Sequence, residues 1–335
     1  MNSTETEREY LFDNIKGIML FFVALGHTLD IAKDCSLMLN LMKYVYLFHM
    51  PMFAFVTGYF SKNLERARHR AVPGVLVPYL IVQTVYVAIA MVMINLGLAS
   101  FNTDVFRKSI LLPSSAFYYL LCVFFWKAFA KDIFQLRHPL FFSIIVGLLV
   151  SQTDLQDFHQ GYGAVLSLLC FFTVGVVCTP EMIQKIRRIP KMIGVLVLLT
   201  GILPAVYLPY AIHSVRTTYA AAGFTPISGM LYRLIFYVIA AVMGCAFINL
   251  CPAKKTFLSQ IGKSSIVVYT ASTFLSPHGY VLLEKLLPIP QTPVFRLIAM
   301  CIYCAALVLF SSLPIFVRIF NRIVLQINKL LFKTV

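Results

Sequence analysis

The stretch DNIKGIMLFFVALGHTLD, residues 13–30, places ionisable side chains at both ends of a long apolar run. With its flanks, the run reaches the ~20 residues that cross the hydrocarbon of a bilayer as a helix. An ionisable group near the centre of such a span costs about 2.5–3.5 kcal/mol on insertion scales. We therefore predict a first membrane span that carries functional side chains.

The rest of the chain has the same character. Of 335 residues, 60% are hydrophobic and 12% are charged, about half the charged fraction of an ordinary soluble domain. We predict an all-α integral membrane protein with a single domain, 1–335, whose residues 317–335 form a basic amphipathic tail on lipid. The ten transmembrane helices are predicted at 12–31, 44–60, 74–97, 116–130, 139–151, 160–178, 192–210, 228–250, 264–284 and 293–313.

The net charge of +15 is distributed unevenly. Most lysines and arginines fall in segments that alternate along the chain with segments poor in them, as the positive-inside rule requires. The charge therefore indicates orientation, with both termini cytoplasmic in a plasma (inner) membrane, rather than a nucleic acid partner. The sequence does not indicate an oligomeric state.

Four ionisable residues of the first span fall within an arc of about 100° on one side of a helix: Asp13, Lys16, His27 and Asp30. Lys16 and His27 are separated by eleven residues, roughly 16 Å along the axis. A carboxylate beside an imidazole fixes its tautomer and raises its basicity, so we interpret His27 with Asp30 as a general base. In the alternative interpretation, Asp13 and Lys16 mark the membrane boundary and His27 bonds a neighbouring helix.

His49 is the second candidate catalytic residue. Pro51 removes a backbone donor and disfavours helix at Met50, which predicts a break or kink in the second span. Broken helices in membranes line cavities or protein-buried sites, and a histidine at a break is a site candidate. Alternatively, His49 caps the freed backbone.

Two further sets of cations indicate ligand binding. Lys62, Arg66, Arg68 and Arg70 crowd into nine residues after the second span, either as a plain topology signal or as an anion site for a phosphorylated ligand. Arg233 lies inside the eighth predicted span and cannot lose its charge. It therefore needs a carboxylate, such as that of Asp30, or an oxygen of a bound substrate.

Four blocks together resemble the acyltransferase-3 family of integral membrane acyltransferases, and the fucose 4-O-acetylase-like branch in particular. They are EREYLFDNIKGIMLFFVALGHTLD (7–30), YLFHMPMFAFVTGYFSK (46–62), VPGVLVPYL (72–80) and FLSQIGKSSIVVY (257–269). The resemblance implies transfer of acetyl from cytoplasmic acetyl-CoA, a co-substrate, to a hydroxyl of a cell-surface or lipid-linked glycan, without a metal. It makes His27 the catalytic histidine and puts Lys16 where many relatives have arginine.

The coenzyme A phosphates are then expected near six residues, Asp13, Lys16, Lys62, Arg66, Arg68 and Arg70. The chain departs from the family pattern after Tyr269, where many relatives have a histidine three residues on. Here that position is Ser272, so Ser272 or His278 is the candidate replacement. Phe117-Tyr118-Tyr119-Leu120 also stands where relatives often have Trp-Phe-Leu.

Three functions remain open at this point. In the first, His27 deprotonates the acceptor hydroxyl or carries the acyl group itself, with His49 or Arg233 stabilising the oxyanion. In the second, the same buried residues serve a proton-coupled transporter or glycan flippase, for which inverted repeats are expected and none is visible. In the third, the chain is a catalytically inactive relative that acts as a sensor.

Overall fold

A computed structural model of the chain describes residues 3–95, 113, 115–153 and 162–333. The model is 82% helical, and no strand occurs in these ranges, so the predicted all-α class is confirmed. The helices are α1 Ser3–Leu29, α2 Ser36–Tyr46, α3 His49–Tyr59, α4 Leu64–His69, α5 Val77–Asn95, α6 Tyr118–Ile133, α7 Pro139–Leu149, α8 Ala164–Ser167, α9 Leu169–Val177, α10 Pro180–Arg188, α11 Lys191–Thr200, α12 Ile202–Tyr207, α13 Tyr210–His213, α14 Pro226–Leu250, α15 Phe257–Lys263, α16 Ser265–Leu286, α17 Pro293–Ser311 and α18 Pro314–Leu331.

Proline sets several of these boundaries. Five of the helices begin at a proline: Pro139, Pro180, Pro226, Pro293 and Pro314. The ring fixes φ at a helical value, and the missing N–H is not needed in a first turn. A proline therefore starts a new helix where the chain changes direction.

Five stretches are long and apolar enough to cross a membrane: Tyr10–Ala32, Val72–Val92, Pro226–Leu250, Ser265–Leu286 and Pro293–Ser311. A sixth is counted if Ala164–Val177 and Pro180–Arg188 form one bent span. Shorter apolar helices occupy other predicted spans, and 192–210 is divided between α11 and α12. The protein thus has the helices of a membrane protein, while the count of ten spans stays a prediction.

The predicted break in the second span is confirmed, but its position differs. α2 ends at Tyr46 and α3 begins at His49, so the interruption lies at Leu47 and Phe48. Pro51 is the third residue of α3, in the first turn, where its missing N–H has no intrahelical role. Pro51 therefore belongs to the first turn of α3, and His49 is the first residue of that helix.

The chain divides into two compact units. Unit 1 consists of Met1–Val56, Val177–Ser214 and Leu231–Arg318, and unit 2 of Thr57–Val176, Val215–Met230 and Ile319–Val335. In unit 1, α1 packs against α2, α15, α16 and α17. In unit 2, α4 packs against α6, and the amide of Asn328 on α18 donates to the Pro73 carbonyl oxygen (3.0 Å).

Candidate active site

The middle of α1 carries a partly buried ion pair. The Lys16 ammonium lies 2.8 Å from the Asp13 carboxylate, and their side chains are 21% and 11% exposed. The i,i+3 spacing that predicts this pair is therefore confirmed. Because burial weakens the screening by solvent, the pair is a fixed polar feature of unit 1 rather than a surface contact.

Asn14, between those two residues, ties α1 to a distant loop. Its amide nitrogen donates to the carbonyl oxygens of Pro252 and Lys254, each at 2.9 Å, and its amide oxygen accepts from the Thr256 hydroxyl. The Asn14 side chain is fully buried, whereas its three partners lie nearer the surface. Thr256 is also the N-cap of α15, and the loop and the start of α15 are thereby fixed to α1.

Two glycines let α15 approach α1 closely. A Cβ added at Gly17 would lie 2.3 Å from the Leu258 carbonyl oxygen, and one at Gly262 would lie 1.9 Å from the Asp13 carbonyl oxygen. Each glycine thus accommodates the backbone of the other helix. The sequence blocks DNIKG and FLSQIGK, which are more than two hundred residues apart, form one interlocked contact.

The turn of α1 that carries His27 and the first residue of α3, His49, approach the same aromatic ring in unit 1. Tyr46 lies between their elements, since its ring is 5.2 Å from the His49 ring and a Cβ at Gly26 would meet it at 2.8 Å. His27 is partly exposed, whereas His49 is buried. Gly26 thus creates the space for the aromatic ring that separates α1 from His49.

The hydrogen bonding of His49 defines its tautomer. Nδ1 lies 2.8 Å from the Val45 carbonyl oxygen, so Nδ1 carries a proton and donates, and in the neutral imidazole Nε2 has the lone pair. This bond to the backbone matches the alternative interpretation, in which His49 caps the break. The two interpretations are compatible, because a cap through Nδ1 leaves Nε2 able to accept a proton.

Aromatic side chains form an apolar wall beside His49. Phe48 contacts Phe247 and Phe22, with ring centroids 4.6 and 5.1 Å apart. Removing water from such a site strengthens the electrostatic interactions within it. The surroundings of the two histidines therefore suit proton transfer to a bound reactant.

Asp30 lies just beyond α1, at the start of a 3₁₀ turn, Asp30–Ala32. Its carboxylate is 3.3 Å from the Lys33 ammonium, and both side chains are about half exposed. The change from α to 3₁₀ geometry turns the side chain away from the direction that a continuing α-helix gives. The predicted role of Asp30 in orienting His27 stays a prediction.

Arg233, the predicted substrate-binding residue, is 3% exposed on α14. Its Nη2 donates to the Ser214 carbonyl oxygen at 3.2 Å, and its guanidinium lies 5.8 Å from the Phe236 ring centroid. The side chain thus contacts the segment after α13.

Ser272 and His278 lie on α16, beside α1. Ser272 is fully buried, and its hydroxyl has no hydrogen-bond partner among the described residues. One turn later, the Ser276 carbonyl oxygen accepts from the Thr28 hydroxyl at 3.3 Å. This contact places the Ser272 side of α16 next to the turn of α1 that carries His27, whereas His278 packs on Phe274.

The predicted phosphate-binding cations Lys62, Arg66, Arg68 and Arg70 all belong to unit 2 and are exposed. Asn63 caps α4 by accepting from the Arg66 backbone N–H at 2.9 Å, so the basic segment is a helix rather than a loop. Arg68 lies 3.4 Å from Asp132, and Lys131 donates to Glu65. The bond from Lys131 holds the pKa of Glu65 below its usual value.

Arg66 and Arg70 have no carboxylate within ion-pairing distance among the residues that the structure describes. The Lys62 ammonium lies 4.3 Å from the Tyr59 ring centroid. Exposed pairs such as Arg68–Asp132 contribute little stability and release their cation readily. The basic segment therefore keeps positive charge available for an anion.

Two residues that the sequence did not single out belong to this site, Asn14 and Tyr46. Asn14 lies inside the quoted first stretch, but its partners are 238 and 240 residues away, and no local pattern predicts them. For Tyr46, the sequence signal is Gly26, because a glycine indicates that a neighbouring group approaches the helix closely at that position.

Comparison of the chain with protein-family models, with curated proteins and with solved structures gave no match in any of the three. The assignment of a function consequently depends on the geometry above and on the resemblance of the four sequence blocks.

Proposed function

We propose that the chain is a membrane O-acyltransferase that moves an acetyl group from acetyl-CoA to a hydroxyl of a cell-surface or lipid-linked glycan. The observation that carries the proposal is the packing of one ring, that of Tyr46, against both His49 and Gly26, the neighbour of His27, in unit 1. His27 and His49 are the two histidines that the acyltransferase-3-like blocks contain in GH and FHMPMF. The proposal includes ten spans in a plasma membrane, with both termini cytoplasmic.

In the proposed reaction, His27 removes the proton of the acceptor hydroxyl as its oxygen attacks the thioester carbonyl. The carbon–sulfur bond then breaks, and the imidazolium returns the proton to the coenzyme A thiolate. His49, which packs on the ring of Tyr46, or Arg233 is the candidate group for stabilising the oxyanion. Asp30 remains the candidate carboxylate for orienting His27.

Positive side chains of unit 2 are proposed to bind the phosphates of the donor. In unit 1, Lys16 holds a fixed position beside Asp13. In unit 2, Arg66, Arg68 and Arg70 on and beside α4 suit the phosphates of coenzyme A.

Labelled acetyl-CoA and purified protein test the proposal. Replacing His27 with alanine is expected to lower acetyl transfer to glycans by about 10²–10⁴-fold, the usual contribution of a general base. His138→Ala is the matched control, because His138 is an exposed histidine outside the site. Transfer at the wild-type rate by the His27→Ala protein would contradict the assignment.

The same preparation distinguishes the transporter. Protein in sealed vesicles that neither transfers acetyl nor hydrolyses the thioester, but takes up labelled sugar, is a carrier. An inactive sensor gives neither signal.

A further inference from the structure

His213 is a buried histidine that the proposed chemistry does not use. It ends α13, and its side chain is 3% exposed. Nδ1 lies 3.1 Å from the Pro209 carbonyl oxygen and 3.2 Å from that of Tyr210. Since a carbonyl oxygen only accepts, Nδ1 carries the proton and Nε2 presents a lone pair. Nε2 is buried and has no hydrogen-bond partner among the described residues.

Lys43 lies on α2, which packs against both α12 and α13, the helix that His213 ends. Its residue is 6% exposed, and its ammonium makes one hydrogen bond, 3.3 Å to the Val206 carbonyl oxygen. An ammonium has three N–H donors, and the described part of unit 1 offers Lys43 no carboxylate. Burial, followed by the positive charge of Lys43, lowers the pKa of His213 to about 4. The imidazole is therefore neutral at pH 7.

The surroundings locate this pair near the C-terminal end of α1. The helix α2, which carries Lys43, packs against the 3₁₀ turn Asp30–Ala32 that follows α1. Arg233 donates to the carbonyl oxygen of Ser214, directly after His213. The predicted substrate-binding arginine thus contacts the segment that carries His213, on the side that the sequence predicts to face outward.

Leaving these polar groups buried has a cost. An unsatisfied buried acceptor destabilises the folded protein, and a buried charge is stable only when it is compensated. The pair presents a donor on a cation and an acceptor on a neutral ring. The oxygens of a carboxylate or phosphate would be repelled by the lone pair of Nε2. A protonated amine would be repelled by the Lys43 ammonium. A hydroxyl group matches both, because it donates and accepts.

We propose that Lys43 and His213 form the subsite that binds the sugar hydroxyls of the acceptor. A hydroxyl of the ring donates to Nε2 of His213, and the same or the adjacent hydroxyl oxygen accepts from the Lys43 ammonium. The inference rests on the proposed acetyl transfer for the role of this sugar as acceptor. The binding itself follows from the contacts of the two residues.

A single ordered water would also satisfy both groups. The two cases differ in how sugar binding depends on single hydroxyl groups. If a water occupies the site, removing a hydroxyl from the sugar does not change its affinity through these two residues. If the site binds sugar, removing the hydroxyl that contacts them lowers the affinity. A comparison of sugars with and without one hydroxyl therefore separates them.

The experiment measures binding of methyl glycosides of fucose, glucose and N-acetylglucosamine, with their monodeoxy analogues, to the full-length purified protein by titration calorimetry. The variants are His213→Phe and Lys43→Met, which keep the volume and remove the polar atoms. Tyr44→Phe is the matched control, because it deletes a neighbouring hydrogen bond, from the Tyr44 hydroxyl to the Leu198 carbonyl oxygen. Thermal unfolding of each variant verifies folding.

Loss of the correct hydroxyl from the sugar is expected to weaken binding to the wild type about tenfold, as one well-placed hydrogen bond does. The same loss should have no effect on His213→Phe, while Tyr44→Phe behaves as the wild type. A water-only site is indicated if both variants bind every sugar like the wild type and differ only in unfolding temperature, and this result overturns the proposal.

Failure of the wild type to bind any of these glycosides also overturns it. Acetyl transfer is measured separately in the same preparation, so the proposed function is assessed on its own. If sugars bind through His213 but no acetyl moves, the subsite stands and the acyltransferase proposal fails.

Discussion

At Gly26, an added Cβ would lie 2.8 Å from the edge of the Tyr46 ring. Real Cβ atoms are not found this close to a carbon, so the ring must move, and the His49 ring lies 5.2 Å from it. Gly26 therefore influences the position of the Tyr46 ring and, through that ring, the position of the His49 imidazole. The effect is transmitted by packing, because close-packed interiors tolerate little displacement.

Gly26→Ala is therefore expected to lower the rate of acetyl transfer about tenfold, while the protein still accumulates in the membrane. Such a loss corresponds to about 1.4 kcal/mol of transition-state stabilisation, a reasonable cost for displaced catalytic groups. The measurement is kcat with labelled acetyl-CoA.

Gly244→Ala is the control in the same unit. A Cβ there would meet the Met52 sulfur at 3.5 Å, an ordinary contact, so its activity should stay near that of the wild type. Equal rates for the two variants would show that Tyr46 does not position His49.

Among single residues, the sequence predicted those whose partners are close in the chain. The Asp13–Lys16 pair follows from i,i+3 spacing, and it is present. The contacts of Asn14 and the surroundings of His213 depend on residues far away in the chain. Helical phase cannot predict such partners, since it describes one helix at a time.

At the scale of elements, α15 and α1 interlock through Gly17 and Gly262. Both close approaches are to backbone carbonyl oxygens of the opposite helix, and backbone atoms cannot rotate away as a side chain can. The contact therefore depends on the absence of a Cβ at each position. Asn14 adds three partly buried hydrogen bonds at the same contact.

Gly262→Ala should separate the two helices and lower the stability of unit 1 by about 1–3 kcal/mol, the range for overpacking a tight contact. The measurement is thermal unfolding in detergent with a thiol-reactive dye, because Cys251 and Cys304 are buried thiols of unit 1. A clear fall in the unfolding temperature is expected.

Gly244→Ala again serves as the control, with little change in unfolding temperature. If Gly262→Ala unfolds at the same temperature as this control, then the close approach of α15 to α1 does not occur.

The elements show where sequence patterns suffice. Five long apolar helices coincide with five of the predicted spans, because twenty apolar residues are a strong signal. The break before His49 was predicted from Pro51, although it lies at Leu47 and Phe48. A proline predicts the start of a helix only to within about one helical turn, since proline fits any position of the first turn.

At the scale of the whole molecule, large apolar side chains lie on the surface of several helices. Met192, Leu282 and Ile302 are 70%, 57% and 64% exposed. In water this surface would drive aggregation, whereas in lipid it is the expected exterior. The exposed apolar surface and the long apolar helices thus agree on a membrane environment, but neither determines orientation.

The orientation follows from charge and is testable within unit 1 alone. Asp34 and Lys255 are both exposed, and the positive-inside rule places Asp34 outside and Lys255 in the cytoplasm. In a background without native cysteines, Asp34→Cys should react with a membrane-impermeant maleimide on intact cells. Lys255→Cys should react only after the cells are permeabilised.

The reverse pattern would invert the molecule and put Asp13 and Lys16 on the outer side, because Asn14 binds the Pro252 and Lys254 carbonyl oxygens. Acetyl-CoA is cytoplasmic, so an inverted molecule could not receive it at that end of α1. Labelling of both cysteines on intact cells would instead put positions 34 and 255 on the same side of the membrane, which contradicts the predicted spans. The orientation thus connects the fold directly to the proposed donor.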